Sequence, residues 1–149
     1  MELSDQYIAG LFDGEGHVCI GHDDKRMNVG VSSCDRRVLD ALHDRFGGHV
    51  IEHRRKLLHQ RTLYQWVLRK KDEQRTFLEA VKPWVVVKGE AVAAAFAFLA
   101  TCKNLGGDRH VEVLSKDEWQ IRKEARQVLY RVNANHGQRL VDRRPAYAC

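Results

Sequence analysis

Residues 7–16 read Tyr-Ile-Ala-Gly-Leu-Phe-Asp-Gly-Glu-Gly, and this stretch determines how the rest of the chain is interpreted. Folded as a helix, it has one bulky apolar face that suits a protein core, formed by Ile8, Leu11 and Phe12. The opposite face is almost bare, and it is formed by Ala9, Gly10, Asp13 and Gly14. Each glycine costs a helix about 1 kcal/mol relative to alanine. Close approach of a second helix to the bare face is the compensation that this pattern predicts.

The end of this helix is predicted at Glu15, with Gly16 as the first residue beyond it. The last carbonyl groups of the helix and the Glu15 carboxylate would converge at that point. Such oxygen atoms disfavour a bare anion and suit a divalent cation. The pattern therefore predicts a cation site, and its alternative is an ordinary amphipathic helix that ends at a glycine.

Composition limits the classes of function. The chain has 149 residues and a formal net charge of +5, which suits a polyanionic partner. We expect one domain over residues 1–135 and a basic tail over residues 136–149. No apolar run is long enough for a membrane span, and no signal peptide is expected. The cysteines lack zinc spacing and are expected as reduced thiols in the cytoplasm or an organellar interior: Cys19, Cys34, Cys102 and Cys149.

Alternation of apolar and polar residues predicts two β-hairpins. The first joins residues 17–23 to 26–32, and the second joins residues 49–55 to 63–69. Helical spacing predicts helices over residues 36–46, after the N-cap Asp35, and over residues 72–82. The predicted class is α+β, with an αββαββα core. Helices cover one face of a four-stranded antiparallel sheet, and further helices follow Pro83.

The other face of the predicted sheet carries arginine, asparagine and glutamine, which can read base edges in the major groove of DNA. A solvated sheet face is the common alternative. The third strand blurs the alternation, so it stays open whether residues 52 and 54 or residues 53 and 55 face outward. The candidate DNA-binding residues are His17, Cys19, Arg26, Asn28, Ser32, Arg54, Gln65, Val67 and Arg69.

The stretch from Ile8 to Gly16 resembles the signature motif of the LAGLIDADG homing endonucleases, position by position. It has Ile for the first Leu, Phe for Ile, Gly for the second Ala and Glu for the second Asp. The element order over about residues 6–100 is similar to the single-motif branch, whose sheet saddles DNA. The resemblance implies a homodimer that pairs through the motif helices. It places Ala9 and Gly10 at the dimer interface, and Asp13 against the helix end of the partner in a capping role.

The resemblance also implies a metal site. Glu15 from each protomer and the carbonyl oxygen of Gly14 would hold Mg²⁺, in a site that Mn²⁺ or Ca²⁺ could also occupy. Divalent ions at this point would neutralise charge, align a water molecule and stabilise the leaving group of a phosphodiester. Lys88 falls at the position of the family's site lysine, and its alternative is a solvated surface lysine.

Two further catalytic candidates match the family less closely. Ser33 stands where family members often carry a glutamine that orients water, and serine is too short to make the same hydrogen bond directly. Arg37 would complete a basic periphery around the site, and its alternative is a helix-surface arginine.

The predicted function is a site-specific double-strand DNA endonuclease of the kind that serves intron homing. It would act as a homodimer on a long near-palindromic site, with no membrane partner and no small-molecule substrate. One alternative is a non-cleaving DNA-binding regulator or an RNA-binding intron maturase on the same scaffold. Glu15 favours the enzyme, whereas Ser33 is compatible with a weakened one. A scaffold protein without a nucleic-acid role is the third reading, and the arginines of the sheet face disfavour it.

Overall fold

A computed structural model describes residues 1–53, 61–102 and 113–136 of the chain, with side chains as far as residue 134. The α+β class and the αββαββα order of the core are confirmed, with further helices after it. The elements are α1 (Asp5–Glu15), β1 (Gly16–Ile20), β2 (Met27–Ser33), α2 (Arg36–Phe46), β3 (His49–His53), β4 (Leu63–Leu68), α3 (Lys71–Val81), α4 (Gly89–Ala100) and α5 (Lys116–His136).

The four strands form one sheet in the order β1-β2-β4-β3. In its antiparallel centre, Ser32 of β2 and Ile51 of β3 both lie opposite Gln65 of β4. Paired residues share a face, so the odd-numbered residues of β3 lie on the face of Gln65. His53 therefore lies on this polar face, and Glu52 on the other. Arg54, the predicted DNA-binding residue of the third strand, lies outside the described residues.

Local signals explain the limits of α2. The Asp35 side chain accepts a hydrogen bond from the backbone N–H of Arg37 at 3.0 Å, which is the predicted N-cap. The helix ends where Gly47 and Gly48 adopt positive φ angles of 77° and 82°, a region that favours glycine. The indole N–H of Trp66 donates to the Gly47 carbonyl at 2.8 Å and ties this turn to β4.

The chain divides into two compact units. The first consists of Met1–His17 and Val29–Lys88. Its core is an aromatic cluster in which Phe77 meets three rings edge-on. The centroid separations are 5.3 Å to Phe12, 5.3 Å to Phe46 and 5.0 Å to Trp66. Phe12 anchors α1 in this cluster, so the position of the motif helix is set by core packing.

The second unit consists of Val18–Asn28 and the described residues from Gly89 onward. Within it, Arg122 of α5 is 1% exposed and donates to the Thr101 hydroxyl at 2.7 Å. Arg122 also donates to the backbone carbonyl of Asp24 at 3.2 Å, and Arg126 pairs with the Asp24 carboxylate at 2.6 Å. These two arginines therefore fasten the turn before β2 to α5.

The cysteines differ from the expectation at one position. Cys19 is disulfide-bonded, whereas Cys34 and Cys102 are free thiols. The prediction that all the cysteines are reduced is therefore wrong for Cys19. Sequence spacing gave no sign of this bond, because a disulfide depends on closeness in the folded chain. Cys149 and the rest of the tail after residue 136 lie outside the described residues. Among the described helices, none is long and apolar enough to cross a membrane.

Candidate functional site

The two faces of α1 differ from the predicted division. The buried face consists of Ile8, Ala9 and Phe12, which are 1%, 0% and 0% exposed, while Leu11 is only half-buried. Because Ala9 is fully buried within its own protomer, its predicted place at a dimer interface is wrong. At 100° per residue Ala9 lies only about 60° from Phe12, so it shares the core side. A helix wheel read by side-chain bulk assigned Ala9 to the wrong face.

Gly10 and Gly14 lie on the open side of α1. Both are exposed, and a Cβ atom added to either would meet no other atom within 4 Å. Exposed apolar side chains occur on α1 itself, at Tyr7 (50% exposed), and in the segment before α4, at Trp84 (47%) and Val86 (85%). The sequence pattern singled out the glycines but not these large side chains. Their exposure is visible only after folding.

Gly16 follows α1 directly and begins β1, as its predicted position beyond the helix requires. Its φ of −81° and ψ of 161° are extended values that any residue can adopt. The reason for glycine is close approach, because a Cβ atom here would collide with the ring and the carbonyl oxygen of Phe12. The missing side chain lets the backbone turn tightly from the helix into the sheet. That turn leaves the Glu15 side chain exposed at the helix end.

Asp13 caps the segment that leads into α4. Its carboxylate oxygens accept backbone N–H groups from Val86 at 2.7 Å, Lys88 at 2.9 Å and Val87 at 3.2 Å. The capping role is therefore present, but the donors belong to the same chain and not to the helix of a partner. Burial raises the pKa of Asp13, but the three hydrogen bonds and the Lys88 ammonium outweigh it and keep the pKa below its ordinary value.

The Lys88 side chain in turn donates a hydrogen bond to the backbone of Asp13. It is 8% exposed, and its Nζ donates to the backbone carbonyl of Asp13 at 2.7 Å. Burial lowers the pKa of Lys88, and the negative charges of Asp13 and Glu15 act against that shift. The structure thus brings together two candidates that are far apart in sequence, Lys88 and Glu15, at the C-terminal end of α1. Sequence alone did not show that Asp13 connects them.

The metal donors that one protomer supplies at this end are few. In the described ranges, no group of three or more His, Cys, Asp or Glu side chains is placed to hold a metal ion. Glu15 offers one exposed carboxylate, and exposed Gly14 offers its backbone carbonyl. Oxygen donors of these types fit Mg²⁺ or Ca²⁺, which take six or more ligands. The donor chemistry therefore fits the ion, and the donor number requires further ligands from outside one chain.

A row of hydrogen-bonded side chains crosses the polar face of the sheet. Gln65 Nε2 lies 3.3 Å from His17 Nε2, and Gln65 Oε1 lies 3.0 Å from His53 Nε2. Gly30 makes room for this row, because a Cβ there would lie 2.7 Å from the His17 ring and would collide with the Trp66 carbonyl. Burial lowers the pKa of His17 to about 4, and the positive charge of Lys88 adds to this shift.

The remaining candidates of the sheet face differ in exposure. Gln65, Val67 and Ser32 are 7%, 5% and 9% exposed, whereas Arg69, directly after β4, is exposed. Three further candidates belong to the second unit and occupy different environments. They are half-buried Cys19, exposed Arg26 and half-buried Asn28.

Ser33 and Arg37 are both held by Asp35. The Ser33 hydroxyl accepts the backbone N–H of Asp35 at 3.0 Å, and the exposed Arg37 guanidinium contacts the Asp35 carboxylate at 2.7 Å. A side-chain hydrogen bond from Arg37 lowers the pKa of Asp35, and the same bond raises the pKa of Arg37. These contacts hold both side chains at the start of α2, and the catalytic roles of Ser33 and Arg37 stay predictions.

The fold and the motif helix together define a known class of domain. Residues 2–82 match the sequence profile of the LAGLIDADG-like domain, which is more than half of the chain. The chain therefore belongs to the LAGLIDADG family. No curated protein is similar enough to this chain to be matched to it.

Two solved structures share the fold of this chain. The homing endonuclease I-GzeII in complex with its DNA target superposes with a TM-score of 0.63 at 18% identity, over 85% of this chain and 44% of that chain. I-SmaMI bound to uncleaved DNA with calcium ions gives a TM-score of 0.57 at 14% identity, over 97% of this chain and 52% of that chain. The chain thus spans about half the length of each of these proteins.

Proposed function

We propose that this protein is a divalent-metal-dependent DNA endonuclease that acts as a homodimer on a near-palindromic site. The observation that carries the proposal is the arrangement at the end of α1. An exposed Glu15 carboxylate lies in the electrostatic range of a buried lysine, and that lysine is fixed to the Asp13 carbonyl at 2.7 Å. A carboxylate with a fixed ammonium group suits phosphodiester chemistry.

The open side of α1 supports the homodimer. Gly10 and Gly14 leave space for a backbone-close neighbour, and Tyr7 and Trp84 are half-exposed apolar side chains of the same unit. A second copy would bury this surface and would bring a second Glu15 to the symmetry axis. This chain covers 44% of the I-GzeII chain and 52% of the I-SmaMI chain, so each of those chains has room for two domains of this size.

Mg²⁺ is the proposed ion, with Mn²⁺ or Ca²⁺ as substitutes. Glu15 and the Gly14 carbonyl would hold it, with DNA phosphate oxygens and the second protomer completing the ligand set. When bound, the ion supplies charge neutralisation and activation of water. Lys88 would add a positive charge that its hydrogen bond to Asp13 holds in place. Asp13 in turn would keep the segment 86–88 against the helix end.

Double-stranded DNA is the proposed partner, with the polar face of the sheet as the reading surface. The net charge of +5 favours binding to phosphate, and exposed Arg69 lies at the end of β4 beside this face. A two-ribbon surface fits the major groove of a half-site, and a two-fold dimer would match a near-palindrome.

The test is a selection from randomised duplex DNA, with binding in Ca²⁺ and then a change to Mg²⁺. Wild-type protein is expected to recover a near-palindrome and cut it, and Glu15→Gln is expected to bind it with a cleavage rate at least about 100-fold lower. Glu79→Gln, an exposed glutamate on α3, is the matched control and should cut normally. Wild-type cleavage rates in Glu15→Gln would contradict the assignment.

A DNA-binding regulator without cleavage is the second candidate. It is favoured by Ser33, whose hydroxyl is already hydrogen-bonded to Asp35 and stands where family members often carry a glutamine. Specific binding without cutting in Mg²⁺ or Mn²⁺ would support this candidate. Ser33→Gln would then be tested for a gain of cleavage, and enrichment from RNA but not from DNA would indicate a maturase.

A further inference from the structure

The polar face of the sheet contains a glutamine that does not have the geometry of a direct base reader. A glutamine reads adenine by offering both amide atoms to the base edge. Both amide atoms of Gln65 already contact an imidazole, and the side chain is 7% exposed. Gln65 is therefore a positioning residue, and His17 and His53 are the side chains that it positions.

The Gln65 amide makes the tautomer of one imidazole depend on the tautomer of the other. A glutamine amide has one donor end and one acceptor end, and a neutral imidazole has one donor and one acceptor nitrogen. With Oε1 facing His53 Nε2 at 3.0 Å, that nitrogen would carry a proton, and with Gln65 Nε2 facing His17 Nε2 at 3.3 Å, that nitrogen would accept. A half-turn of the amide would reverse both bonds together. In either orientation the two Nε2 atoms have opposite roles.

We infer that His17, Gln65 and His53 form one coupled recognition unit, in which Gln65 makes the base preference of the imidazole at β3 depend on the imidazole at β1. This inference rests on the proposed DNA binding through the sheet face. Gly30 is the structural requirement for the unit, because its missing side chain lets the His17 ring cross β2 toward β4. The direction of the hydrogen bonds along His17, Gln65 and His53 decides which base edge fits, and no single side chain decides it.

The first test measures DNA specificity in Ca²⁺ for Gln65→Leu, His53→Asn and the double variant, on the selected site and its single-base variants. Gln65→Leu is expected to weaken discrimination about tenfold at the same base pairs as His53→Asn. The double variant should be no more than about twofold worse than either single variant. As control, Arg69→Gln combined with His53→Asn should give effects that multiply, because Arg69 is exposed and outside the row.

The second test uses free protein and stays informative if Gln65→Leu does not fold. Long-range ¹⁵N–¹H NMR spectra of the wild-type protein at mildly alkaline pH should show a proton on the Nε2 atom of either His17 or His53 and no proton on the other Nε2 atom. Equal states at both imidazoles would overturn the coupling. Specific DNA binding with independent effects of Gln65 and His53 would overturn the recognition unit but leave the proposed function intact. If the wild-type protein shows no sequence preference for DNA, both the recognition unit and the proposed function are contradicted.

Discussion

The end of α1 and the polar face of the sheet treat polar groups in opposite ways. At the helix end, the Asp13 carboxylate accepts hydrogen bonds from backbone N–H groups. The Glu15 carboxylate stays exposed, so a charged group remains available to a ligand. On the sheet face, buried Gln65 hydrogen-bonds with both imidazoles, and the two imidazoles are half-buried. The helix end therefore presents charged groups, whereas the sheet face fixes which atoms donate and which accept hydrogen bonds.

The largest expected effect concerns the tight turn at the helix end. Gly16→Ala should lower the free energy of unfolding by about 4 kcal/mol, above the usual cost of overpacking, because the Phe12 carbonyl that the new Cβ meets cannot rotate away. Urea unfolding measures this loss. Gly14→Ala, where no atom lies within 4 Å, is the control and should not be destabilised. Equal stability of the two variants would contradict the close approach.

The sheet face should make stability depend on pH. The pKa of His17 is about 4 in the folded protein against 6.5 for an ordinary histidine, so the unfolded chain binds the proton more readily. The His17 contribution to the free energy of unfolding should therefore fall as the pH drops from about 6.5 to 4, by up to roughly 3 kcal/mol, and this contribution should be constant above that range. His17→Asn should flatten this part of the curve.

Urea titrations across that pH range provide the measurement, and His49→Asn, an exposed histidine on β3, is the matched control. A wild-type curve that does not fall below neutral pH would show that His17 is not shielded. The helix end should contribute little over the same range, because the pKa of Asp13 is lowered and its stabilising contribution disappears only in stronger acid.

A smaller effect is expected for Asp13→Asn. The amide keeps one acceptor oxygen but directs an NH₂ group at backbone donors, so the loss of stability should be about 1.5 kcal/mol in this partly exposed site. Amide exchange of Val86 should accelerate with it. Asp72→Asn in the first turn of α3 is the control and should leave that amide unchanged.

The smallest expected effect is an increase in the free energy of unfolding. Gly10→Ala should raise the stability of the free protomer by up to about 1 kcal/mol, because alanine favours the helix and meets no neighbour. The same change should weaken the proposed homodimer, whose helices need the bare surface. Urea unfolding and sedimentation equilibrium separate the two results, with Thr76→Ala as control. Unchanged self-association would place the dimer contact elsewhere.

Much of the fold could be predicted because local signals set it. Residues 36–46 were predicted as a helix, and α2 has these limits since Asp35 caps one end and glycines end the other. The order of strands and helices followed from alternation in the same way. The facing of β3 could not be read from its pattern, because it depends on pairing with β4.

The candidate site was less predictable because its contacts are distant in sequence. The helix-end pattern and the resemblance both indicate Glu15, and the resemblance alone indicates Lys88. The Asp13 bonds to Val86 and Lys88 span 73 and 75 positions and leave no local pattern. The misplacement of Ala9 has another cause. A helix wheel shows angles but not which neighbours cover each side, and here the core extends to Ala9.

The Asp13 contacts also have a consequence for how the site opens. Hydrogen bonds over 73 to 75 positions close a loop that contains most of the first unit, and ordering such a loop is entropically costly. If these bonds break, the segment 86–88 loses its attachment to the end of α1, while Phe12 still anchors α1 in the core. Glu15 and Lys88 should therefore lose their arrangement in a single cooperative opening and not by gradual loosening. The protein is therefore expected to have either the complete Glu15–Lys88 pair or none of it, and a partly folded chain should lack the proposed activity entirely.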